Sequence, residues 1–169
     1  MRKYGFIRSG DVVVDLGAAP GGWSQAAGKL VGQRGFVLGI DIECIEPFSL
    51  PNIHSAEGDV SDPEIIEQIL GILPRSADAV ISDVSPNISG IWELDHARQI
   101  DLARKSLQIA TAALRPRGNF FVKVFQGDML KGFVEEVKHH FSSVKFVKPR
   151  ASRKKSSEIY VLGMRLKRT

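Results

Sequence analysis

Short runs of β-branched and aromatic residues alternate with longer amphipathic stretches along the whole chain. Seven of these runs are predicted to be strands, at 12–14, 36–40, 54–57, 79–82, 120–125, 143–148 and 158–165. Helical spacing and turn residues predict helices from 21 onward, near 63–70, over 95–114 and over about 128–140. Because strands that alternate with helices favour a parallel sheet, the pattern indicates a doubly wound α/β domain. Ligands of such a sheet lie beyond the carboxyl ends of its strands.

Length and composition restrict the class of protein. A chain of 169 residues, with 43 % hydrophobic and 25 % charged residues, fits one globular domain, so we predict a single domain over 1–169. No apolar run is long enough to cross a bilayer, and the N-terminus lacks the apolar block of a signal peptide. Cys44 is the only cysteine, so neither an internal disulfide nor a cysteine metal site is expected. We therefore expect a cytoplasmic protein without a metal.

The positive charge is concentrated near the C-terminus. Residues 145–169 carry nine Lys and Arg against a single acid, Glu158, whereas residues 1–144 carry 14 against 18 acids. This asymmetry is typical of a domain that presents one basic face to a polyanion. The alternative interpretation is a solvated basic tail without a ligand.

A glycine-rich turn follows the first predicted strand, over residues 15–23. Glycine lets a backbone turn tightly and approach a ligand closely, and Gly17 and Gly22 stand at two positions of the dinucleotide-binding fingerprint. The third position of that fingerprint is Ala19, and Pro20 removes an N–H donor from the turn. A pyrophosphate would therefore be bound poorly here.

Carboxylates follow several predicted strands. Asp41 ends the second strand, where an acid can accept hydrogen bonds from both hydroxyls of an adenosine ribose. Asp59 follows the third strand, near the expected position of an adenine, and Asp15 and Asp83 stand at two further strand ends. Four acids would repel a pyrophosphate but suit the sulfonium and ammonium of S-adenosylmethionine. The alternative is that the glycine turn and acids only maintain the fold.

Lys123 interrupts the apolar run 120–125, which is predicted to be a central strand. A buried ammonium is costly unless it is paired, and Asp83, at the end of the preceding strand, is the expected partner. Glu158 begins the last predicted strand and is expected to approach the same edge. The alternative is a lysine whose ammonium reaches water from a strand end.

The segments that contain these residues resemble the FtsJ family of RNA ribose 2′-O-methyltransferases. The resemblance covers essentially the whole chain and is carried by DLGAAPGGWSQ at 15–25, SDVSPN at 82–87 followed by Ser89-Gly90, VKVFQG at 122–127, PRASR at 149–153 and SEIY at 157–160. It implies a Rossmann-like methyltransferase fold, with a mostly parallel seven-stranded sheet and an antiparallel last strand. It also implies S-adenosylmethionine as the cofactor.

The resemblance assigns roles to individual residues. The expected catalytic residues are Asp83, Lys123 and Glu158. The cofactor contacts that it implies are Gly21, Trp23, Asp41, Asp59 and Asp83, and the glycine turn adds Gly17 and Gly22 as expected cofactor-binding residues. The basic charge near the C-terminus, and not the resemblance, gives the expected RNA-binding residues Lys148, Arg150, Arg153, Lys154 and Lys155. The family has a further catalytic lysine in a basic N-terminal segment, for which Lys3 stands too close to the glycine turn, so we expect the native chain to start upstream.

The implied reaction is an in-line attack of a ribose oxygen on the sulfonium methyl, with Lys123 either as the base or as a charged group that orients the hydroxyl. The expected substrate is a uridine of large-subunit ribosomal RNA, possibly within the large ribosomal subunit, and the protein is expected to act as a monomer. Transfer RNA and a messenger cap are the alternative substrates. Two other functions stay open: a nicotinamide-dependent oxidoreductase, and a non-catalytic RNA-binding or ribosome-assembly protein.

Overall fold

The predicted strands form one sheet with helices on both faces. A computed structural model describes residues 5–148 and 157–168. The strands of this part are β1 (Val12–Leu16), β2 (Phe36–Asp41), β3 (Ile53–Glu57), β4 (Ala77–Ser82), β5 (Leu114–Phe125), β6 (Phe141–Val147) and β7 (Glu158–Leu166). Its helices are α1 (Gly22–Val31), α2 (Ile65–Ile72), α3 (Trp92–Ala113) and α4 (Leu130–His140).

The strand order is β3-β2-β1-β4-β5-β7-β6. All neighbours pair in parallel except β7, which is antiparallel to both β5 and β6. The prediction of a doubly wound, mostly parallel sheet with an antiparallel last strand is confirmed. We call the edge at which β1, β2, β4 and β5 end the carboxyl edge, and the edge at which they begin the amino edge. Since β7 is antiparallel, it begins at the carboxyl edge and ends at the amino edge.

The start of β5 differs from the prediction. The pattern predicts a helix to residue 114 and a strand from residue 120, but β5 already begins at Leu114, which pairs with Ala77. The register shifts between Ala77 and Ala79, where the buried carboxylate of Asp78 accepts the Val12 N–H (2.8 Å) and pairs with Arg115. A buried carboxylate must be paired, so this contact holds the start of β5 against β4.

The core has two layers, one on each face of the sheet. Alternate residues of a strand point to opposite faces, so Phe120 packs beneath α3 and α4, and Phe121 packs on the other face. The first layer lies under α2, α3 and α4. The second lies under α1 and the segment before β1, where Phe6 stacks on Phe121 with ring centroids 5.2 Å apart. In the described part of the chain, no helix has the length and apolarity that a membrane span needs.

Two phenylalanines test this account of the core. Phe120 is fully buried, so Phe120→Ala should lower the free energy of unfolding by about 3–5 kcal/mol, through lost burial and the cavity it leaves. Phe146 lies on the edge strand β6 and is 53 % exposed, so Phe146→Ala should change it by less than about 0.5 kcal/mol. Urea denaturation of both variants measures the difference, and equal losses would contradict the placement of the two rings.

Candidate active site

The turn between β1 and α1 brings the backbone close to the loop that follows β4. The N–H groups of Gly17 and Ala18 both donate to the carbonyl oxygen of Ile40, at 2.8 and 3.1 Å. Gly17 has a φ of 73°, and a Cβ added there would lie 2.8 Å from the backbone nitrogen of Val84. Glycine is therefore required at this position for both conformation and space.

The next residues of the glycine turn begin α1. Gly21 precedes the helix with a φ of 115°, and a Cβ there would lie 2.5 Å from the ring of Phe48. Trp23 packs near Tyr160, with ring centroids 5.6 Å apart. Gly21, Gly22 and Trp23 do not line the cavity described next, so their contact with a cofactor stays a prediction.

A cavity of about 480 Å³ opens at the carboxyl edge beside the glycine turn. Its volume is typical of a small-molecule site. Four carboxylates line it, from Asp41, Glu43, Asp59 and Asp83, and no Lys or Arg of the described residues does. The carboxylate of Asp41 accepts two backbone hydrogen bonds, from the N–H of Ala19 (2.9 Å) and from the N–H of Glu43 (3.0 Å), and these fix its position. The cavity is therefore strongly acidic, and Asp41, Asp59 and Asp83 lie where they were predicted. The fourth predicted acid, Asp15, does not line it, and Glu43, which was not predicted, does.

Asp15 lies behind this wall and is fully buried. Burial raises its pKa to about 7, and the nearby carboxylates of Asp83 and Asp41 add to the rise, whereas a hydrogen bond from the Ser24 hydroxyl (2.6 Å) opposes it. Its second oxygen, Oδ1, has no hydrogen-bond partner among the described residues.

The role of Ser24 was not predicted, although the sequence contains a signal for it. Ser24, Ala27, Gly28 and Val31 have the spacing of one helical face, and all four are buried. A buried hydroxyl needs a hydrogen-bond partner, which Asp15 supplies.

Lys123 lies within the sheet, with 8 % of its side chain exposed. Its Nζ is 3.2 Å from Asp83 Oδ1, donates to the Asp83 carbonyl oxygen at 3.1 Å, and is 3.9 Å from Glu158 Oε1. The predicted pairing with Asp83 and the approach of Glu158 are confirmed. The alternative of a lysine whose ammonium reaches water is contradicted by its burial. Because Asp83 also lines the acidic cavity, the ammonium lies at the border of that cavity.

Tyr160 also belongs to this cluster, and its position was not predicted. Its hydroxyl lies 3.5 Å from Asp83 Oδ1, and its ring stacks on Phe121 with centroids 4.9 Å apart. Burial, together with the charges of Asp83 and Glu158, raises the pKa of Tyr160 well above its usual range. Tyr160 is therefore a neutral hydrogen-bond donor beside the lysine. Tyr160 belongs to the SEIY segment at 157–160, which carries part of the family resemblance and could have indicated that this tyrosine lies at the site.

Helix α3 fixes the loops on both sides of the cluster. Asp95 accepts hydrogen bonds from the Ser89 N–H (2.9 Å) and hydroxyl (2.7 Å) and from the Gly90 N–H (3.1 Å). These bonds, and those from Ser89 most of all, lower the pKa of Asp95. Gln99 donates to the carbonyl oxygens of both Val84 and Lys123 at 3.0 Å. One helix thus holds the loop after β4 against the strand that carries the lysine. Neither side chain was singled out from the sequence.

The predicted RNA-binding residues are only partly described. Lys148 is exposed immediately after β6. Arg150, Arg153, Lys154 and Lys155 lie outside the described residues, as does Lys3. Over 5–148 and 157–168, no group of three or more His, Cys, Asp or Glu side chains is arranged to hold a metal ion.

Comparison with known proteins identifies similar sequences. Residues 1–166 match the family described as FtsJ-like methyltransferase. The chain is 56 % identical over 164 residues to "Ribosomal RNA large subunit methyltransferase E" of Methanothrix thermoacetophila, which covers 97 % of this chain and 63 % of that protein. It is 50 % identical over 167 residues to the protein of the same name from Archaeoglobus fulgidus, covering 99 % of this chain and 84 % of that one. The chain thus spans less than two thirds of the Methanothrix relative.

Solved structures share the fold. A ribosomal RNA methyltransferase from Plasmodium falciparum superposes with a TM-score of 0.86 at 21 % identity, over 98 % of this chain and 91 % of that one. A fibrillarin from Methanococcus jannaschii superposes with a TM-score of 0.67 at 16 % identity, over 96 % and 69 %. At these identities the likeness concerns the fold alone.

The buried carboxyl of Asp15 predicts a pH dependence of stability. The folded state retains a proton that the unfolded state releases above a pKa of about 4, so this contribution to stability is lost as the pH rises through about 7. Asp15→Asn has no such proton. Between pH 4 and pH 8 the stability of the variant relative to wild type should therefore rise, by up to about 4 kcal/mol. Urea denaturation across this pH range measures the difference.

Asp59→Asn is the matched control, because it removes one carboxylate from the exposed wall of the same cavity. A stability difference between Asp15→Asn and wild type that stays constant with pH would contradict the assignment.

Proposed function

Because the chain belongs to the FtsJ-like methyltransferase family, we propose that it is an S-adenosylmethionine-dependent RNA ribose 2′-O-methyltransferase that acts on large-subunit ribosomal RNA. The observation that carries the proposal is the position of the Lys123 ammonium. It lies 3.2 Å from Asp83, a carboxylate that also lines the acidic cavity at the carboxyl edge. A methyl donor bound in the cavity and a ribose hydroxyl bound beside Lys123 would then both lie next to Asp83.

The cavity suits the proposed cofactor. Bound S-adenosylmethionine supplies a methyl group on a positively charged sulfonium. Four carboxylates and no described cation line the cavity, which favours a ligand with a sulfonium and an ammonium over one with a pyrophosphate. Asp41, at the end of β2, would accept hydrogen bonds from the ribose hydroxyls, and Asp59 would lie near the adenine.

Lys123 would either orient the ribose hydroxyl as a charged ammonium or, if it is neutral when the substrate is bound, receive the hydroxyl proton. Two carboxylates and a carbonyl oxygen surround its Nζ, so the group is held in place before substrate binds. Tyr160 and Gln99 support this arrangement from opposite sides, through Asp83 and through the Lys123 carbonyl oxygen.

The proposed substrate rests on the relatives and on the charge distribution. The relatives that match most of this chain are named for large-subunit ribosomal RNA. The basic segment 145–155 begins on β6. Lys148 is exposed where β6 ends, at the carboxyl edge at which the cavity also opens. Phosphate contacts there would position RNA without reading its sequence. Action as a monomer and in the cytoplasm stay predictions.

Methyl transfer tests the proposal directly. The protein should bind S-adenosylmethionine but not NAD in isothermal titration, and it should transfer tritiated methyl groups from the donor to large-subunit ribosomal RNA. Mass spectrometry of the RNA nucleosides should then show a 2′-O-methyl nucleoside. Transfer to transfer RNA alone would overturn the substrate, and cofactor binding without transfer would support a non-catalytic RNA-binding protein.

Lys123→Arg separates the two roles of the lysine. If Lys123 receives the proton, the variant should lose about 10²–10⁴-fold in kcat while its affinity for S-adenosylmethionine is unchanged, because arginine stays protonated. Activity near that of wild type across the pH–rate profile would exclude proton transfer and leave a charged, orienting role. Lys105→Arg is the matched control, since Lys105 forms an ion pair with Asp101 (2.8 Å) on the surface of α3.

A further inference from the structure

A second cleft, of about 610 Å³, lies at the amino edge of the sheet, opposite the acidic cavity. Five cationic side chains line it, from Arg8, Arg115, Arg117, Lys145 and Arg165. Its two acids are Asp11 and Asp78. We call this the amino-edge cleft. Its charge is the reverse of that of the cavity at the carboxyl edge.

Two of these arginines have a backbone conformation that favours glycine. Arg117 has a φ of 68° and Arg165 a φ of 60°, and these are the non-glycine residues with positive φ in the described chain. Glycine would adopt this conformation without a Cβ penalty, so the arginine side chains are present at a cost in backbone energy. Residues held in such conformations concentrate at ligand sites.

Neighbouring side chains hold this backbone in place. Asn119 accepts the Arg165 N–H at 3.1 Å and donates to the Phe6 carbonyl oxygen at 3.1 Å. The Ser142 hydroxyl donates to the Arg165 carbonyl oxygen, also at 3.1 Å. These bonds fix the backbone of Arg165, one of the residues that line the cleft, against β5 and β6.

The two acids do not neutralise the cleft. Asp78 is already paired with Arg75 (2.7 Å) and Arg115 and accepts the Val12 N–H, and Asp11 accepts the Arg8 N–H at 2.7 Å. Within residues 5–148 and 157–168, no carboxylate forms an ion pair with Arg117, Lys145 or Arg165. These three exposed cations are available to an anion.

We propose that the amino-edge cleft binds backbone phosphates of the substrate RNA at a distance from the target nucleotide. This proposal rests on the proposed function. Lys145 lines the cleft on the edge strand β6, and Lys148 is exposed three residues later, where β6 ends at the carboxyl edge. Exposed cations therefore lie at both edges of the sheet. Asn119, which also lines the cleft, precedes Lys123 by four regularly paired residues of β5, which is roughly 13 Å. A folded RNA can span that distance, whereas an oligonucleotide of two or three nucleotides centred on the lysine cannot.

The double variant Arg117→Gly/Arg165→Gly tests the proposal, because glycine suits both backbone conformations and removes both charges. Its affinity for a large-subunit ribosomal RNA fragment should fall. The slope of log K against log salt should become shallower by about 1.4–1.8, the value for two lost phosphate contacts. Methyl transfer to a short oligonucleotide that contains the target nucleotide should keep the wild-type kcat. An unchanged salt slope would overturn the proposal.

Arg117→Lys/Arg165→Lys is the matched control, since it keeps the charge at both positions and should keep the wild-type slope. A lost slope in this variant as well would indicate altered folding rather than lost phosphate contacts, and would count against the proposal. If binding to whole ribosomal subunits weakens but binding to the free RNA fragment does not, the cleft contacts protein and the RNA assignment is wrong. If the wild-type protein transfers no methyl group to any RNA, the proposed function fails instead, and the salt slope still tests the cleft.

Discussion

The ammonium of Lys123 lies inside the sheet, and the arrangement of the carboxyl edge follows from the need to neutralise it. An unpaired buried cation costs several kcal/mol, so carboxylates must meet it where it lies. Parallel pairing sets Ser82 of β4 opposite Val122 of β5, which places Asp83 beside the lysine. The antiparallel direction of β7 places its first residue, Glu158, opposite Phe125 at the same edge. Were β7 parallel, Glu158 would lie at the amino edge.

The same concentration of acids has a cost in the absence of a cationic ligand. Asp83 both pairs with the lysine and faces the cavity that Asp41 and Asp59 line. Behind them, Asp15 is so deeply buried that its pKa rises to about 7. Like charges held this close repel each other, and a positively charged ligand in the cavity would relieve that repulsion. The electrostatics of the cavity thus favour a positively charged ligand.

The two edges of the sheet therefore differ in charge. Acids collect where the parallel strands end, and arginines and a lysine collect where they begin. A cationic donor and a polyanionic substrate would be attracted to different places on one small domain, so neither would compete for the other's site. The edge strand β6 and its lysines lie between the two regions.

The sequence by itself determined the order of the elements, the glycine turn and the pairing of Lys123 with Asp83. The elements and the turn are local, because alternation along a strand and helical spacing can be recognised within a few residues. The pairing joins residues far apart in the chain, but its two members, a lysine in an apolar run and an acid that ends a strand, are each recognised locally. The tertiary structure decided that residues 114–119 extend β5, that Ser24 donates to Asp15, and that Tyr160 and Gln99 support the lysine. It also decided that Arg117 and Arg165 share one cleft. Apart from the bond between Ser24 and Asp15, these contacts join residues far apart in the chain, and all of them depend on strand register and on the packing of layers, which no local pattern encodes.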